Sequence, residues 1–251
     1  DLSILGGQGV FAVEVQRAVL AHEADVAVHS AKDLPSITPE GLVLASVPER
    51  LDASDVLVGR SLAGLGPGAR VATGSPRRRA LLLERRPDIE VVQLRGNMAT
   101  RLARVGSDGV DAIITALAAL DRLGEDDLVS ERLDPEWFTP QVGQGALALE
   151  ARGDDASTLA ALKEINVAPA LLAVTAERAY LEELGAGCAI PTGAHATVRD
   201  GLVAISGVML DTDGVKSVRG EFSGADPVDL GRRLARYLRD DLGGGAFLAE
   251  V

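Results

Sequence analysis

The chain is poor in the residues that usually staple or metallate a small protein. Of 251 residues one is cysteine, Cys188, and three are histidine, His22, His29 and His195. A single thiol excludes an intramolecular disulfide and any multi-cysteine zinc site, and the histidines are too scattered for a spacing such as His-x-x-x-His, so no metal is expected. No apolar run reaches the roughly 18 residues that a membrane span needs, and the first residues, Asp-Leu-Ser-Ile-Leu-Gly-Gly, carry no basic region followed by an apolar stretch. A cytoplasmic protein without a membrane partner is expected. Positive charge is scarce as well: 25 Lys and Arg stand against 37 Asp and Glu, a net charge of −12, which argues against nucleic acid as a partner.

The scarce positive charge is concentrated. Between Arg70 and Arg104 nine arginines face only Glu84, Asp88 and Glu90, a surplus of six, so the rest of the chain carries −18. An island made only of arginine suits a ligand with several carboxylates or phosphates, which the guanidinium fork grips bidentately. The other reading, a solvated helix face, covers Arg85, Arg86 and Arg104.

Hydrophobic periodicity predicts a helix over 10–23, strands at 25–28, 42–47 and 55–58, then strand 71–73, helix 76–86, strand 89–94, helix 98–105, strand 111–115 and helix 117–123. Strands alternating with helices predict parallel pairing through crossover helices, with ligands at the carboxyl ends of the strands. Residues 124–145, polar and rich in Gly and Pro, read as a connector back between lobes, with Gln141-Val-Gly-Gln-Gly145 as a hinge. Strand 146–151, helices near 158–165 and 170–184, strands 194–198, 203–210 and 217–222 and an amphipathic helix over 227–242 complete the chain.

Two turns place polar groups at helix amino ends. In Thr73-Gly-Ser-Pro-Arg-Arg78, Ser75 is a natural N-cap and Pro76 a natural first helical residue, so free N–H groups and the helix dipole face the space beyond the strand. Leu94-Arg-Gly-Asn-Met-Ala-Thr-Arg101 repeats the arrangement, with Asn97 as cap and Arg95 and Arg101 around it. Two such turns on consecutive units point to a polyanionic ligand. His29-Ser-Ala-Lys-Asp-Leu-Pro35 sets a hydroxyl, a cation and a carboxylate together at a strand end; Asp33 either terminates the element or faces the cleft to steady a cation or pass protons. Cys188 lies in a loop with glycines at 185, 187 and 193. Taken alone it reads first as a small buried hydrophobe, the commonest role of a lone cysteine.

In order and spacing, the HSxKDLP, TGSPRR, LRGNxxTRL, VGQGAL and TAERA…GxGCxIPxG segments resemble the hydroxymethylbilane synthase (porphobilinogen deaminase) family across essentially the whole chain. The resemblance implies an α/β protein of three domains: two doubly wound lobes like those of periplasmic binding proteins, and a small α+β C-terminal domain. Their expected bounds are 1–50 with 146–163, 54–139, and 168–251, with N-terminal strands of the first lobe missing. It implies condensation of four porphobilinogen molecules, with loss of ammonia, into hydroxymethylbilane on a dipyrromethane cofactor held by Cys188 through a thioether. By position, Asp33 is the catalytic acid that stabilises an azafulvenium-like cation. Ser30, Lys32, Thr73, Ser75, Arg77, Arg78, Asn97 and Gln144 hold the cofactor, and Arg95, Arg101 and Arg122 the substrate. Removing Arg77 or Arg78 is expected to impair cofactor assembly or early elongation more than folding. The expected working unit is a monomer.

Two departures stand out. The position after Gly-Gly, often lysine in the family, is Gln8, and the family's amino-terminal strand and helix are absent, so the natural polypeptide is expected to extend a few dozen residues upstream of Asp1. A non-catalytic two-lobed binding protein for a carboxylated ligand shares the lobes and arginines but has no need of Cys188 or Asp33.

Overall fold

The computed structural model of the chain describes residues 10–185 and 190–250. Gln8 and Cys188 lie outside the described residues. Helix α1 (Val10–Leu20) leads to β1 (Val26–Ser30), which a 3-10 turn over Ala31–Asp33 terminates, and to β2 (Leu42–Ser46). The chain then crosses to β3 (Asp55–Val58) and alternates through β4 (Arg70–Thr73), α2 (Pro76–Arg85), β5 (Glu90–Gln93), α3 (Met98–Leu102), β6 (Ala112–Ala116), α4 (Leu117–Asp121) and β7 (Val129–Arg132). It recrosses to β8 (Leu147–Arg152), α5 (Ala156–Glu164) and α6 (Ala168–Leu184). It closes with β9 (Thr192–Arg199), β10 (Leu202–Leu210), β11 (Ser217–Gly224) and α7 (Pro227–Arg236).

Capping chemistry sets the starts of the helices around the site. Ser75 accepts a hydrogen bond from Arg78 N with Pro76 at the first helical position, and Asn97 accepts from Thr100 N, each satisfying an orphan donor of the first turn.

The strands form three sheets, ordered β1-β8-β2, β5-β4-β6-β3-β7 and β11-β10-β9. The expectation of parallel pairing holds only in part. β4 pairs parallel with β5 and β6, whereas β3 is antiparallel to β6 and β7, and β8 is antiparallel to both β1 and β2. The reason is connectivity: β8 arrives not through a crossover helix but on the recrossing segment, and inserts between two strands more than a hundred residues earlier. A further correction concerns 124–145, read as connector throughout. Residues Val129–Arg132 form edge strand β7, whose Val-Ser-Glu-Arg sequence has too little apolar content to announce it.

The third sheet packs under α6 and α7, with Tyr180, Leu230, Leu234 and Leu238 over Ile205 and Met209. Its elements also enter the other two cores. Val208 and Leu210 of β10 join the core of the second sheet with Leu57, Ile114 and Leu81 of α2, and Ala170 and Val174 of α6 join the core of the first with Ala31, Ala146 and Ala148. No single described helix is long and apolar enough to cross a membrane; α5 and α6 meet that test only as a pair bent by 112°.

Candidate active site

A cavity of about 680 Å³ opens where these elements converge: the turn after β1, the amino end of α2, the loop between β5 and α3, the recrossing segment at Gln141 and Val142, α6, and the start of β9. Lys32 and Asp33 enter it from the 3-10 turn. Their position is fixed by a close backbone approach. Gly143 has φ +73°, and a Cβ there would meet the carbonyl carbon of Ala31 at 2.8 Å and the Lys32 nitrogen at 2.9 Å. Neither the Lys32 amine nor the Asp33 carboxylate makes a hydrogen bond or close ion pair to another described residue. Burial, with the positive charge of Arg78, lowers the Lys32 pKa to about 8, against an opposing pull from Asp33 and Asp55.

The floor is built by α2. Arg77 and Arg78 are 3% and 7% exposed and both pair with Asp55, the first residue of β3, which is fully buried. Arg77 donates to Asp55 Oδ2 at 2.8 Å and to Thr139 O at 2.6 Å, while its Nε is buried without a partner. Arg78 donates from Nε to Asp55 Oδ1 at 2.9 Å, from Nη1 to Ile114 O and from Nη2 to Gln144 Oε1, both at 3.3 Å. Burial alone would raise the Asp55 pKa, but the two guanidinium groups and the Gln144 amide hold it below the ordinary carboxylate range. These arginines are therefore not anion-free cations waiting in a cleft, and the expectation that their removal spares folding is revised: either loss leaves a buried carboxylate under-compensated.

The rim carries Arg95 and Arg101. Arg95 is exposed and makes no hydrogen bond or ion pair to another described residue. Arg101 donates from Nε to Gly96 O at 2.8 Å, which folds its head back over the loop. Five of the sequence-derived candidates do not line the cavity. Ser30 and Thr73 stand at strand ends behind it, and Thr73 accepts from Ser75 N at 3.2 Å. Asn97 is taken up by capping, Gln144 by Ala53 O and Asp55, and Arg122 by Gly145 O at 3.1 Å. Ser75 lines it and caps α2.

Cys188 is outside the described residues, but Ile190 and Thr192 on its carboxyl side line the cavity. Tyr180 and Thr192 share a 2.6 Å hydrogen bond, and Thr192 donates to Val208 O at 2.8 Å, which ties the exit of the cysteine loop to α6 and β10. Gly193 explains itself by proximity rather than by φ: a Cβ would meet Pro140 O at 2.6 Å and Arg77 Cδ at 3.0 Å. Sequence reasoning missed Arg178, 9% exposed on α6, which lines the cavity and donates to Ser36 O and Thr38 Oγ1. The signal was a Glu-Arg pair set between the apolar residues Ala176 and Ala179 in the middle of α6. Its neighbour Glu177, fully buried, accepts from Arg50 at 2.7 and 3.1 Å, from Gly143 N at 2.7 Å and from Ala196 N at 2.8 Å, so one carboxylate joins the two crossing segments, α6 and β9.

Comparison with known proteins gives the chain a family. Residues 1–160 match the family model described as porphobilinogen deaminase, dipyromethane cofactor binding domain, and residues 171–240 match porphobilinogen deaminase, C-terminal domain. The porphobilinogen deaminase of Brevibacillus brevis is 43% identical over 100% of this chain and 82% of its own length, and that of Roseiflexus sp. is 45% identical over 99% and 83%. Among solved structures, a YaeC-family lipoprotein from Enterococcus faecalis aligns with 61% of this chain and 75% of its own at 16% identity and a TM-score of 0.39, too low to carry an argument. On the family match and these relatives, the chain belongs to the porphobilinogen deaminase family.

Proposed function

We propose how this chain's own residues carry out the family's reaction, the head-to-tail condensation of four porphobilinogen molecules, with loss of ammonia, into hydroxymethylbilane on a dipyrromethane cofactor. The residues fit that cofactor. Each pyrrole carries two carboxylates, and the cavity presents Lys32, Arg77, Arg78, Arg95, Arg101 and Arg178 against one carboxylate, Asp33, with the buried Arg77 Nε lacking an acceptor. When bound, the dipyrromethane supplies the pyrrole on which chain growth begins.

In this reading Cys188 anchors the cofactor through its sulfur, Lys32, Arg77 and Arg78 hold cofactor carboxylates at the floor, and Arg95 and Arg101 receive those of the incoming porphobilinogen at the rim. Asp33, beside them, accepts hydrogen bonds from pyrrole N–H groups and stabilises the positive charge that develops on the substrate as ammonia leaves. Ser75 and Asn97 hold the two helix starts. Gln144 and Thr73 brace the floor from behind, Ser30 sits at the entry to the Lys32 turn, and Arg122 steadies the recrossing segment. The three sheets correspond to three domains with the bounds 1–50 and 146–163, 54–139, and 168–251. The working unit is a cytoplasmic monomer.

The observation that carries this reading is the placement of Asp33 in an arginine-lined cavity whose wall continues at Ile190, two residues past Cys188. Intact mass tests it: the purified chain should exceed its sequence mass by two linked pyrroles, and Cys188→Ala should lose that excess. Asp33→Asn should keep the excess yet turn over on the order of 10²-fold more slowly. An unmodified wild-type chain, or an Asp33→Asn enzyme at full rate, would sink the assignment.

A further inference from the structure

We propose that Asp55 is a positioning residue of the anion site: its carboxylate holds Arg77 and Arg78 from behind so that Arg77 presents its unused donors to the cavity. The inference rests on the cavity's assignment above and concerns a residue with no place in the sequence motifs.

The two arginines are adjacent in sequence and share one carboxylate, yet they are held unequally. Arg78 is locked, with both oxygen-facing nitrogens on Asp55 Oδ1 at 2.9 and 2.7 Å and its remaining contacts on Ile114 O and Gln144. Arg77 is hydrogen-bonded along one edge, by Asp55 Oδ2 and Thr139 O, with its guanidinium carbon 5.9 Å from the Phe138 ring centroid and its aliphatic stem against Gly193. Its Nε is left buried without a partner in a residue 3% exposed that lines the cavity. A buried N–H without an acceptor is costly unless a ligand supplies one. Gln144 reads the same carboxylate, donating to Asp55 Oδ1 at 2.9 Å and to Ala53 O at 2.7 Å, so the anchor is itself held by both crossing segments. Without the carboxylate, two adjacent guanidinium groups beside Lys32 would repel, and Arg77 would lose the partner that sets its orientation.

The proposal has a sign that a pure charge effect lacks. If Asp55 mattered only as a negative charge near the cavity, neutralising it would make the site more positive and tighten anion binding. Positioning requires the reverse.

The test is Asp55→Asn, which keeps the shape and removes the charge, together with the double variant Asp55→Asn/Arg78→Met, which removes the locked guanidinium along with its counter-ion and so relieves the buried charge. Both are purified from cells making the cofactor precursor and examined by thermal melt, intact mass and porphobilinogen KM, or Kd by calorimetry where there is no turnover. A folded Asp55→Asn protein that is mostly unmodified, with KM or Kd raised at least about tenfold, is the expected result, and the double variant is expected to load and bind less well than Arg78→Met alone. A folded single or double variant that carries the full mass excess and binds porphobilinogen as tightly as the wild type, or more tightly, overturns it. Should neither variant fold, the crystal structure of the wild-type holoenzyme decides: Arg77 must hold Asp55 and a pyrrole carboxylate at once, and an Arg77 swung away from Asp55 refutes the proposal. A wild-type chain lacking the mass excess would sink the cofactor assignment, while porphobilinogen affinity still judges Asp55.

Discussion

Two pairs of arginines from one stretch of sequence meet the cavity in opposite surroundings. Arg77 and Arg78 are buried on the floor and share the Asp55 carboxylate. Arg95 and Arg101 stand on the rim, where Arg95 is exposed and Arg101, half-buried, donates to the Gly96 carbonyl. Placing a guanidinium out of water costs several kcal/mol and is tolerated only with a partner in good geometry. The floor pair therefore needs an internal anion even when no ligand is present, and becomes part of the fold. Neither rim arginine is enclosed as the floor pair is, and the exposed Arg95 can be lost without harm to the fold. One residue type thus does two jobs, and solvent exposure decides which.

The sharpest way to break this contrast is Arg78→Leu. Removing one member of a buried ionic network costs about 3–5 kcal/mol, and the lower end applies because Arg77 still faces Asp55. Urea unfolding of the cofactor-free protein should show a loss of about 3 kcal/mol. A variant as stable as the wild type would mean that the floor pair is no more structural than the rim.

The matching change on the rim is Arg95→Gln. It should leave stability within about 0.5 kcal/mol, since surface substitutions away from caps and networks rarely do more. Its effect belongs to binding: a charge-assisted contact contributes roughly 1.5–3 kcal/mol, so porphobilinogen KM should rise at least about tenfold. If Arg95→Gln melted as far down as Arg78→Leu, or left KM unchanged, the division between floor and rim would fail.

The same contrast marks how far the site could be read from sequence. The helix starts at Ser75-Pro76 and Asn97 are local, because cap and first turn lie within three residues, and both turned up where their sequences place them. The Lys32 and Asp33 turn was legible for the same reason. Asp55 was not. It opens an apolar strand, Asp-Val-Leu-Val, where an acid reads as a strand boundary, and its partners come from another element 22 and 23 residues on. Glu177 and Arg178 lie inside the Thr-Ala-Glu-Arg-Ala segment yet signal no role there, since their partners, Arg50 and Thr38, are 127 and 140 residues away. The insertion of β8 between β1 and β2 is likewise a long-range pairing that periodicity cannot encode. Charge type and capping are local properties, whereas neutralisation and strand order are properties of the folded chain.

The smallest effect concerns Lys32, which belongs to neither pair: it is half-buried, between floor and rim, and among the described residues has no carboxylate within bonding distance. Burial and the charge of Arg78 lower its pKa from 10.5 to about 8. Two consequences of opposite sign follow. In the empty protein the folded state releases this proton near pH 8 while the unfolded chain keeps it to 10.5, so the unfolded state binds more protons across that window and stability gains from rising pH. A bound carboxylate instead favours the ammonium form, so ligand binding takes up a proton above pH 8 and weakens as pH rises. Porphobilinogen KM should therefore climb a few-fold, on the order of 2–5, between about pH 7 and 9, while the Lys32 contribution to cofactor-free stability moves upward. Lys32→Met should flatten both slopes, at the expense of a higher KM at neutral pH. Because Lys32→Met removes this amine and no other titratable group, the comparison of slopes isolates it. If wild type and Lys32→Met kept the same two pH profiles, Lys32 would be a spectator at the cavity wall, and the floor would owe its affinity to the Asp55-held arginines alone.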